Sequence, residues 1–196
     1  MAKIGFVSTL IPADRFKKKF TLGGITIFHL GEELDKESGA YKCFECSMAT
    51  AAFNEDEIKT AFEAFKSELK ASELATAKAQ KIAEIDAYDT SSAVNGFVLN
   101  GATVWLDKAT RVGLMNSTNI TKAMGQPTTT LWLGESKMDV PCDTAIQLLS
   151  ALEMYALECF NVTAAHKVAV SELTSIEEVE KYDITAGYPA QLRMEV

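Results

Sequence analysis

The chain has 196 residues and a formal net charge of −8, from 27 acidic and 19 basic residues. Its 47% hydrophobic and 23% charged residues are typical of a globular protein with a substantial core. Binding to nucleic acid requires a dense basic surface. The only basic run is the three lysines at 17–19, which we interpret as a solvated turn between two strands. We therefore expect no nucleic-acid partner.

The sequence also argues against a membrane partner. No stretch approaches the ~18 consecutive apolar residues of a membrane-spanning helix. Residues 1–7 are too short and too quickly polar for a signal peptide. We therefore expect synthesis and folding in a cytoplasm.

Residues 1–53 have the pattern of a small, antiparallel, β-rich domain. Strands are predicted at 4–9, at 25–28 and at 41–48, with a turn at Gly23 and Gly24. The acidic segment 31–39 is predicted to be a mobile connection. Because a sheet of three strands buries little surface on its own, the domain needs a helix or a neighbouring chain to complete its core.

Residues 54–90 are predicted to form a long helix that acts as a spacer between two domains. Asn54 is the expected N-cap, and the acidic residues 55–57 lie in the first turn, where the helix dipole favours anions. No Gly or Pro interrupts 54–88, so a continuous helix would be about 50 Å long at ~1.5 Å per residue. Its apolar positions are a candidate surface for self-association: Ile58, Phe62, Phe65, Leu69 and Leu74.

Residues 91–196 show clear turn and cap signals. Asn100 and Gly101 predict a hairpin, Asp107 is a predicted N-cap, and Gly125 is expected to end the helix that Asp107 begins. The predicted order is a hairpin at 97–106, a helix at 108–124, strands at 128–133 and 137–140 joined by a turn at 134–136, and helices at 142–170 and 176–182. The tail 184–189 is expected to pack back through its aromatic residue. The predicted fold class is α+β, with a C-terminal β-β-α-β-β-α domain.

The four cysteines do not indicate a metal or redox site. Cys43 and Cys46 form a C-x-x-C motif inside an alternating segment that reads as a strand, where positions i and i+3 face opposite sides. A structural zinc site needs four ligands, and the two histidines, His29 and His166, are far apart in the sequence. We expect reduced cysteines in the core and no metal site.

No pattern of catalytic residues is present, so we expect no enzyme and no cofactor. Cys159 and His166 share one face of a helix, but about 10 Å of helix axis separates them, which is beyond hydrogen-bond reach. The sequence contains no phosphate-binding loop, no G-x-S-x-G and no H-E-x-x-H. Trp105 and Trp132 suit either a sugar-binding platform or a core, and the core interpretation is favoured.

The second half of the chain resembles a known family. Four segments carry the resemblance: AEIDAYDTSSAVNGF at 83–97, WLDKATR at 105–111, LWLG at 131–134 and ALEMYA at 151–156. Over about 80–190 the chain is similar to a domain of unknown function found at the C-terminal end of phage tail-fibre and tail-associated proteins, of the type seen in phages and prophages of Bacteroidota. The family has no agreed catalytic motif, and residues 1–53 lie outside the resemblance.

The resemblance implies a virion protein made in the host bacterial cytoplasm. The leading interpretation is a structural component of the particle, such as a tail-associated, fibre, fibre-adaptor or head-fibre protein. Its expected partners are other virion proteins and copies of itself, as a trimer or dimer. Two alternatives stay open: a tail-fibre assembly chaperone absent from the mature particle, and a receptor- or glycan-binding module that uses Trp105 or Trp132.

Overall fold

A computed structural model describes residues 4–133 and 136–195 of the chain. It contains both helices and antiparallel sheets, which confirms the α+β class. Contacts divide the chain into two compact units, Met1–Glu73 (unit 1) and Leu74–Val196 (unit 2). The boundary falls inside the predicted spacer, and the three-part division into 1–53, 54–90 and 91–196 stays a prediction.

Unit 1 contains a four-stranded antiparallel sheet. Its strands are β1 (Val7–Pro12), β2 (Lys19–Leu22), β3 (Ile25–Asp35) and β4 (Ala40–Ala49). They lie in the order β1-β4-β3-β2, so the two longest strands are central and the two shortest form the edges. A short 3-10 turn, Thr50–Ala52, leads from the sheet to the long helix.

The sheet differs from the prediction in three places, and the first is that β1 (Val7–Pro12) lies three residues later than the strand predicted at 4–9. The strand β2 was not predicted, and it pairs Lys19, expected in a turn, with Phe28 of β3. The segment 31–35 was predicted to be mobile, and this was wrong because β3 continues through it with a shift of register between Leu30 and Glu33. Gly31 makes this bulge possible: its φ is +63°, and a Cβ there would lie 2.9 Å from the ring of Phe62.

The long helix α1 (Glu55–Asp89) is continuous and contributes residues to both units. Its predicted N-cap is confirmed, because Asn54 Oδ1 accepts hydrogen bonds from the backbone N–H groups of Asp56 and Glu57 at 3.2 and 3.3 Å. The first turns of α1 pack on one face of the sheet and form the core of unit 1, which consists of Phe28, Leu30, Cys46, Ile58 and Phe62.

Unit 2 follows the predicted β-β-α-β-β-α order. Its elements after α1 are β5 (Phe97–Leu99), β6 (Ala102–Val104), α2 (Lys108–Ala123), β7 (Thr128–Leu133), β8 (Ser136–Pro141), α3 (Cys142–Glu172), α4 (Ile176–Lys181) and β9 (Arg193–Met194). β9 was not predicted, and it pairs in parallel with β5. In the predicted turn at 134–136, residues 134 and 135 lie outside the described part of the chain.

The turn and cap signals of unit 2 are confirmed. Asn100 and Gly101 have φ values of 49° and 83°, as a two-residue hairpin loop requires. The side chain of Asp107 accepts a hydrogen bond from the backbone N–H of Thr110 at 2.8 Å and caps α2. Gly125 follows the end of α2 with a φ of +78°.

The core of unit 2 is built around α3. Its buried residues are Val94, Phe97, Leu99, Leu106, Leu131, Leu133, Val140, Ala145, Leu148, Leu149, Leu152, Tyr155 and Cys159. The hydroxyl of Tyr155 donates a hydrogen bond to the backbone oxygen of Val94 at 3.2 Å, so a polar group is satisfied inside this core. Among the helices that the structure describes, none has the length and apolar character needed to cross a membrane.

Candidate functional site

A cleft of about 310 Å³ opens beside α3 in unit 2. Its lining residues are Asp89, Asn95, Trp105, Lys108, Arg111, Glu153, Ala156, Leu157, Cys159 and Phe160. They come from the end of α1, the loop before β5, the segment after β6, the first turn of α2 and one side of α3. Its volume is at the lower end of the ~300–1,000 Å³ range of small-molecule sites.

A buried arginine organises one wall of the cleft. Arg111 Nε donates a hydrogen bond to Glu153 Oε2, and Arg111 Nη1 donates one to the backbone oxygen of Leu106, each at 2.7 Å. The guanidinium also lies over the ring of Trp105, 5.3 Å from its centroid. One side chain therefore fixes both the carboxylate of Glu153 and the indole of Trp105.

A chain of hydrogen bonds holds Asp89, another residue of the cleft lining. Thr163 Oγ1 donates to Asp89 Oδ1 at 2.6 Å, because a carboxylate can only accept. The hydroxyl of Tyr188, 2.8 Å from Thr163 Oγ1, then donates to it. Tyr188 also packs edge-on against Tyr88, with 5.3 Å between ring centroids. The C-terminal tail thus packs back through its aromatic residue, as predicted, and positions Asp89.

His166 is a buried residue of α3 that packs against the same C-terminal tail. Its Nε2 donates to the backbone oxygen of Ala186, and its Nδ1 accepts from the hydroxyl of Tyr182, each at 2.8 Å. A carbonyl oxygen can only accept, so the neutral ring carries its proton on Nε2. The ring stacks on Tyr188 at 5.7 Å. Both ring nitrogens are engaged in attaching the tail to α3.

Burial suppresses the reactivity of the cysteines. All four are buried and unpaired, in agreement with the prediction of core cysteines. Burial raises the pKa values of the Cys43, Cys46 and Cys159 thiols. A thiol with a raised pKa holds little thiolate at neutral pH, so Cys159 lines the cleft as a small apolar group.

The two tryptophans have different surroundings. Trp105 is half-buried and lines the cleft, whereas Trp132 is 56% exposed on β7. The favoured core interpretation was therefore wrong for Trp132. Leu131 and Leu133 face the core on either side of it, and the period of two in a strand directs the residue between them to the other face.

The predicted self-association surface on α1 is partly occupied by the core. Ile58 and Phe62 are buried against the sheet of unit 1, so they are not available to another chain. Phe65 packs at the edge of the same cluster, and Leu69 and Leu74 are half-buried. Self-association through these last three side chains stays a prediction.

A second, apolar surface lies on α3, and the sequence analysis did not identify it. Met154, Leu157, Phe160 and Val168 are 57%, 48%, 65% and 57% exposed. Their spacing places them on one side of the helix, next to the side that is buried in the core. We call these four residues the α3 stripe. The exposed Ala164 lies between Phe160 and Val168 in this row.

Sequence reasoning also missed most of the cleft. Arg111 and Glu153 are 42 positions apart, and neither forms a motif with its neighbours in the chain. Trp105 was the one lining residue considered as a binding residue. Asp107, close to Trp105 in the chain, was identified as a helix cap. That local role does not indicate which side chains line the cleft.

Comparison with known proteins identifies the family of the chain. Residues 76–186 match the family model described as Domain of unknown function (DUF4376). No curated protein and no solved structure matches the chain. Because the matched segment covers more than half of the 196 residues, the chain belongs to the DUF4376 family.

Proposed function

We propose that this member of the DUF4376 family is a non-enzymatic structural protein of a phage particle, which acts through contacts with other virion proteins and with copies of itself. The α3 stripe is the observation that supports protein contacts most directly. Four large apolar side chains on one side of a helix are exposed to water. Such surfaces are typical of protein interaction sites.

The charge of the chain supports the stripe as the contact between copies. Each copy carries a formal charge of −8, so two copies repel each other wherever their acidic surfaces meet. The four side chains carry no charge, and Glu153, which lies on the same side of α3, is paired with Arg111 at 2.7 Å. A symmetric dimer or trimer through α3 would cover these side chains and meet a neutralised carboxylate rather than a free one.

The placement in a phage particle depends on the sequence resemblance. The segments AEIDAYDTSSAVNGF at 83–97 and WLDKATR at 105–111 are similar to a domain at the end of tail-fibre and tail-associated proteins. Both segments lie inside the matched residues 76–186. We therefore propose that the protein is made in the bacterial cytoplasm and assembled into the virion, as a tail-associated, fibre, fibre-adaptor or head-fibre component.

Mass spectrometry of purified particles tests this placement. Peptides of the chain are expected in intact virions at a fixed ratio to a known tail protein. Peptides that are abundant in the infected-cell lysate but absent from purified particles would overturn the structural role and favour a tail-fibre assembly chaperone.

Light scattering of the purified chain tests the α3 stripe. The unaltered protein is expected to have the mass of a dimer or trimer, and Met154→Glu or Val168→Glu is expected to convert it to monomer by placing a charge in the contact. Ile120→Glu is the matched control, because Ile120 is 61% exposed on α2 and outside the stripe. A monomer at high concentration before any substitution would contradict self-association.

A further inference from the structure

We propose that the cleft beside α3 binds a single neutral saccharide unit. This inference does not depend on the proposed place in a particle, because every lining residue belongs to unit 2. It depends on three properties of the cleft: its charge balance, its mixture of hydrogen-bonding groups, and its exposed aromatic surface.

The first property is that the cleft has no formal net charge. Its lining contains two cations, Lys108 and Arg111, and two carboxylates, Asp89 and Glu153. The charges of Arg111 and Glu153 neutralise each other, since Arg111 Nε and Glu153 Oε2 are 2.7 Å apart. A phosphate or an acidic peptide would be repelled by Asp89, and a basic peptide by Lys108. A neutral ligand meets neither repulsion.

The second property is that donors and acceptors occur together. The ammonium of Lys108, the amide of Asn95 and the indole N–H of Trp105 can donate. The carboxylates of Asp89 and Glu153 and the amide oxygen of Asn95 can accept. A sugar hydroxyl donates one hydrogen bond and accepts others, so a ring with several hydroxyls matches this mixed lining better than a ligand of one kind of group.

The third property is an aromatic and apolar wall that is exposed in the single chain. Its Leu157 and Phe160 also belong to the α3 stripe, so a sugar here and a second copy on the stripe would compete. Phe160 is 65% exposed, although it lies at the rim of a cleft, and Ala156 and Leu157 continue the same wall. A pyranose ring has an apolar face of C–H groups besides its polar hydroxyls. That face can pack on Phe160 while the hydroxyls reach the polar wall, the combination expected of a small-ligand site.

The polar wall is held in place before any ligand arrives. Arg111 fixes Glu153 and Trp105, and Thr163 fixes Asp89 with a 2.6 Å hydrogen bond. A pre-organised site spends little free energy on ordering its side chains upon binding. At about 310 Å³ the cleft suits one sugar ring, such as the terminal residue of a glycan.

Tryptophan fluorescence provides a direct test. The chain has two tryptophans, so Trp132→Phe leaves Trp105 as the sole emitter, and Trp132 is exposed enough to replace safely. Titration with glucose, galactose and N-acetylglucosamine is expected to give a saturable change in Trp105 emission for at least one of them. Dissociation constants in the millimolar range are expected of a small ligand.

Variants of the polar wall identify the site. Lys108→Met and Asn95→Ala, each made in the Trp132→Phe chain, are expected to weaken binding about tenfold by removing one hydrogen-bonding group. Ile120→Ala is the matched control, since Ile120 is 61% exposed on α2 and belongs neither to the cleft lining nor to the α3 stripe. Retained binding in both wall variants would overturn the assignment to this cleft.

Charged probes and a glycan array complete the test. Inorganic phosphate and glucuronate are expected to bind more weakly than the neutral sugars because of Asp89. Stronger binding of either anion would overturn the neutral-ligand assignment. So would the absence of binding both to the three sugars and to an array of glycans ending in neutral hexoses and N-acetylhexosamines. Because the cleft and the α3 stripe share Leu157 and Phe160, sugar binding is expected to be retained or strengthened in Met154→Glu, where the contact between copies is lost. Loss of sugar binding in this variant would contradict a site that a single chain completes.

Discussion

The two units of the chain differ in the size of their apolar cores and in what their buried hydrogen bonds join. The apolar cluster of unit 1 is small, and the buried polar residues of its sheet, Thr26 and His29, are hydrogen-bonded to the segments that flank its strands. The core of unit 2 is larger, and hydrogen bonds of Tyr155, Thr163 and His166 join α3 to other segments. Unit 1 is therefore expected to depend mostly on a few large contacts, and unit 2 on apolar packing together with hydrogen bonds between segments.

Hydrogen bonds between segments also surround the candidate site in unit 2. They hold polar side chains in defined positions, and Arg111, Glu153, Asp89 and Thr163 form such fixed pairs around the cleft. Four substitutions, in order of decreasing expected effect, test how far each unit depends on apolar contacts and on hydrogen bonds.

The largest effect is expected from Phe62→Ala in unit 1. Phe62 contacts the rings of Phe6, Phe44 and Phe65 at centroid distances of 5.2–6.3 Å, so its loss leaves a large cavity. We expect destabilisation of about 3–5 kcal/mol. Hydrogen exchange of the amides in β3 and β4 measures it.

The matched control for Phe62→Ala is Leu22→Ala, because Leu22 is 71% exposed on the same sheet. It is expected to change the free energy of opening, obtained from the exchange rates, by less than about 0.5 kcal/mol. Both tryptophans lie in unit 2, so their fluorescence reports that unit separately. Unchanged exchange in β3 and β4 after Phe62→Ala would contradict the dependence on large contacts.

The next effect concerns alkaline pH and Tyr155. Burial raises the pKa of Tyr155 to about 12, above the ordinary value of 10. The folded state thus favours the neutral phenol. The resulting contribution to the free energy of unfolding is complete below pH 10 and is lost as the pH rises through 12. Since one pKa unit corresponds to about 1.4 kcal/mol, the loss is about 2–3 kcal/mol.

Urea unfolding at pH 8 and pH 11, followed by tryptophan fluorescence, measures this contribution. Tyr155→Phe is expected to lower stability by about 1 kcal/mol at pH 8, because the hydrogen bond to Val94 is lost. It should also reduce the further fall between the two pH values. Tyr41→Phe in unit 1 is the matched control, and equal falls in both variants would contradict the prediction.

A smaller effect is expected from His166→Phe. The ring would still pack on Tyr188, but the backbone oxygen of Ala186 and the hydroxyl of Tyr182 would each lose a partner. We expect a loss of about 2 kcal/mol in urea unfolding, against about 1 kcal/mol for Tyr182→Phe, which breaks one of the two bonds. A cost for His166→Phe no larger than that for Tyr182→Phe would show that packing alone attaches the tail.

The smallest effect is local, at the start of α4. The Ser175 side chain accepts a hydrogen bond from the N–H of Glu178, whose carboxylate accepts from the N–H of Ser175, a capping box. Ser175→Ala is expected to cost about 1 kcal/mol, measured by hydrogen exchange in α4. Ser175→Thr preserves the cap and is expected to cost much less. Equal effects of the two substitutions would exclude the cap as the cause.

Strong local signals predicted most elements of the fold. Asn54 and Asp107 marked two helix starts, Gly125 marked a helix end, and the Asn100–Gly101 pair marked a hairpin. The errors arose where local signals were weak or contradicted by packing. The acidic residues after Gly31 suggested a connection, yet pairing with β4 and the close approach of Phe62 keep them in a strand.

The candidate site was far less accessible to sequence reasoning. Trp105 was considered as a sugar-binding residue, but its partners Arg111 and Glu153 have no regular spacing that indicates a shared site. The alternation of β7 places Trp132 on the face opposite to Leu131 and Leu133. It does not indicate which of the two faces is buried, so the exposure of Trp132 could not be predicted.

The sequence by itself determined the α+β class, the limits of most helices, the β-β-α-β-β-α order and membership of the family. These properties depend on turn residues, caps and hydrophobic periodicity, which act between near neighbours in the chain. Only the tertiary structure decided which side chains converge on the cleft and which side of α3 stays exposed. Both depend on contacts between residues tens of positions apart, because packing brings α1, α2 and α3 together at distances that no local pattern encodes.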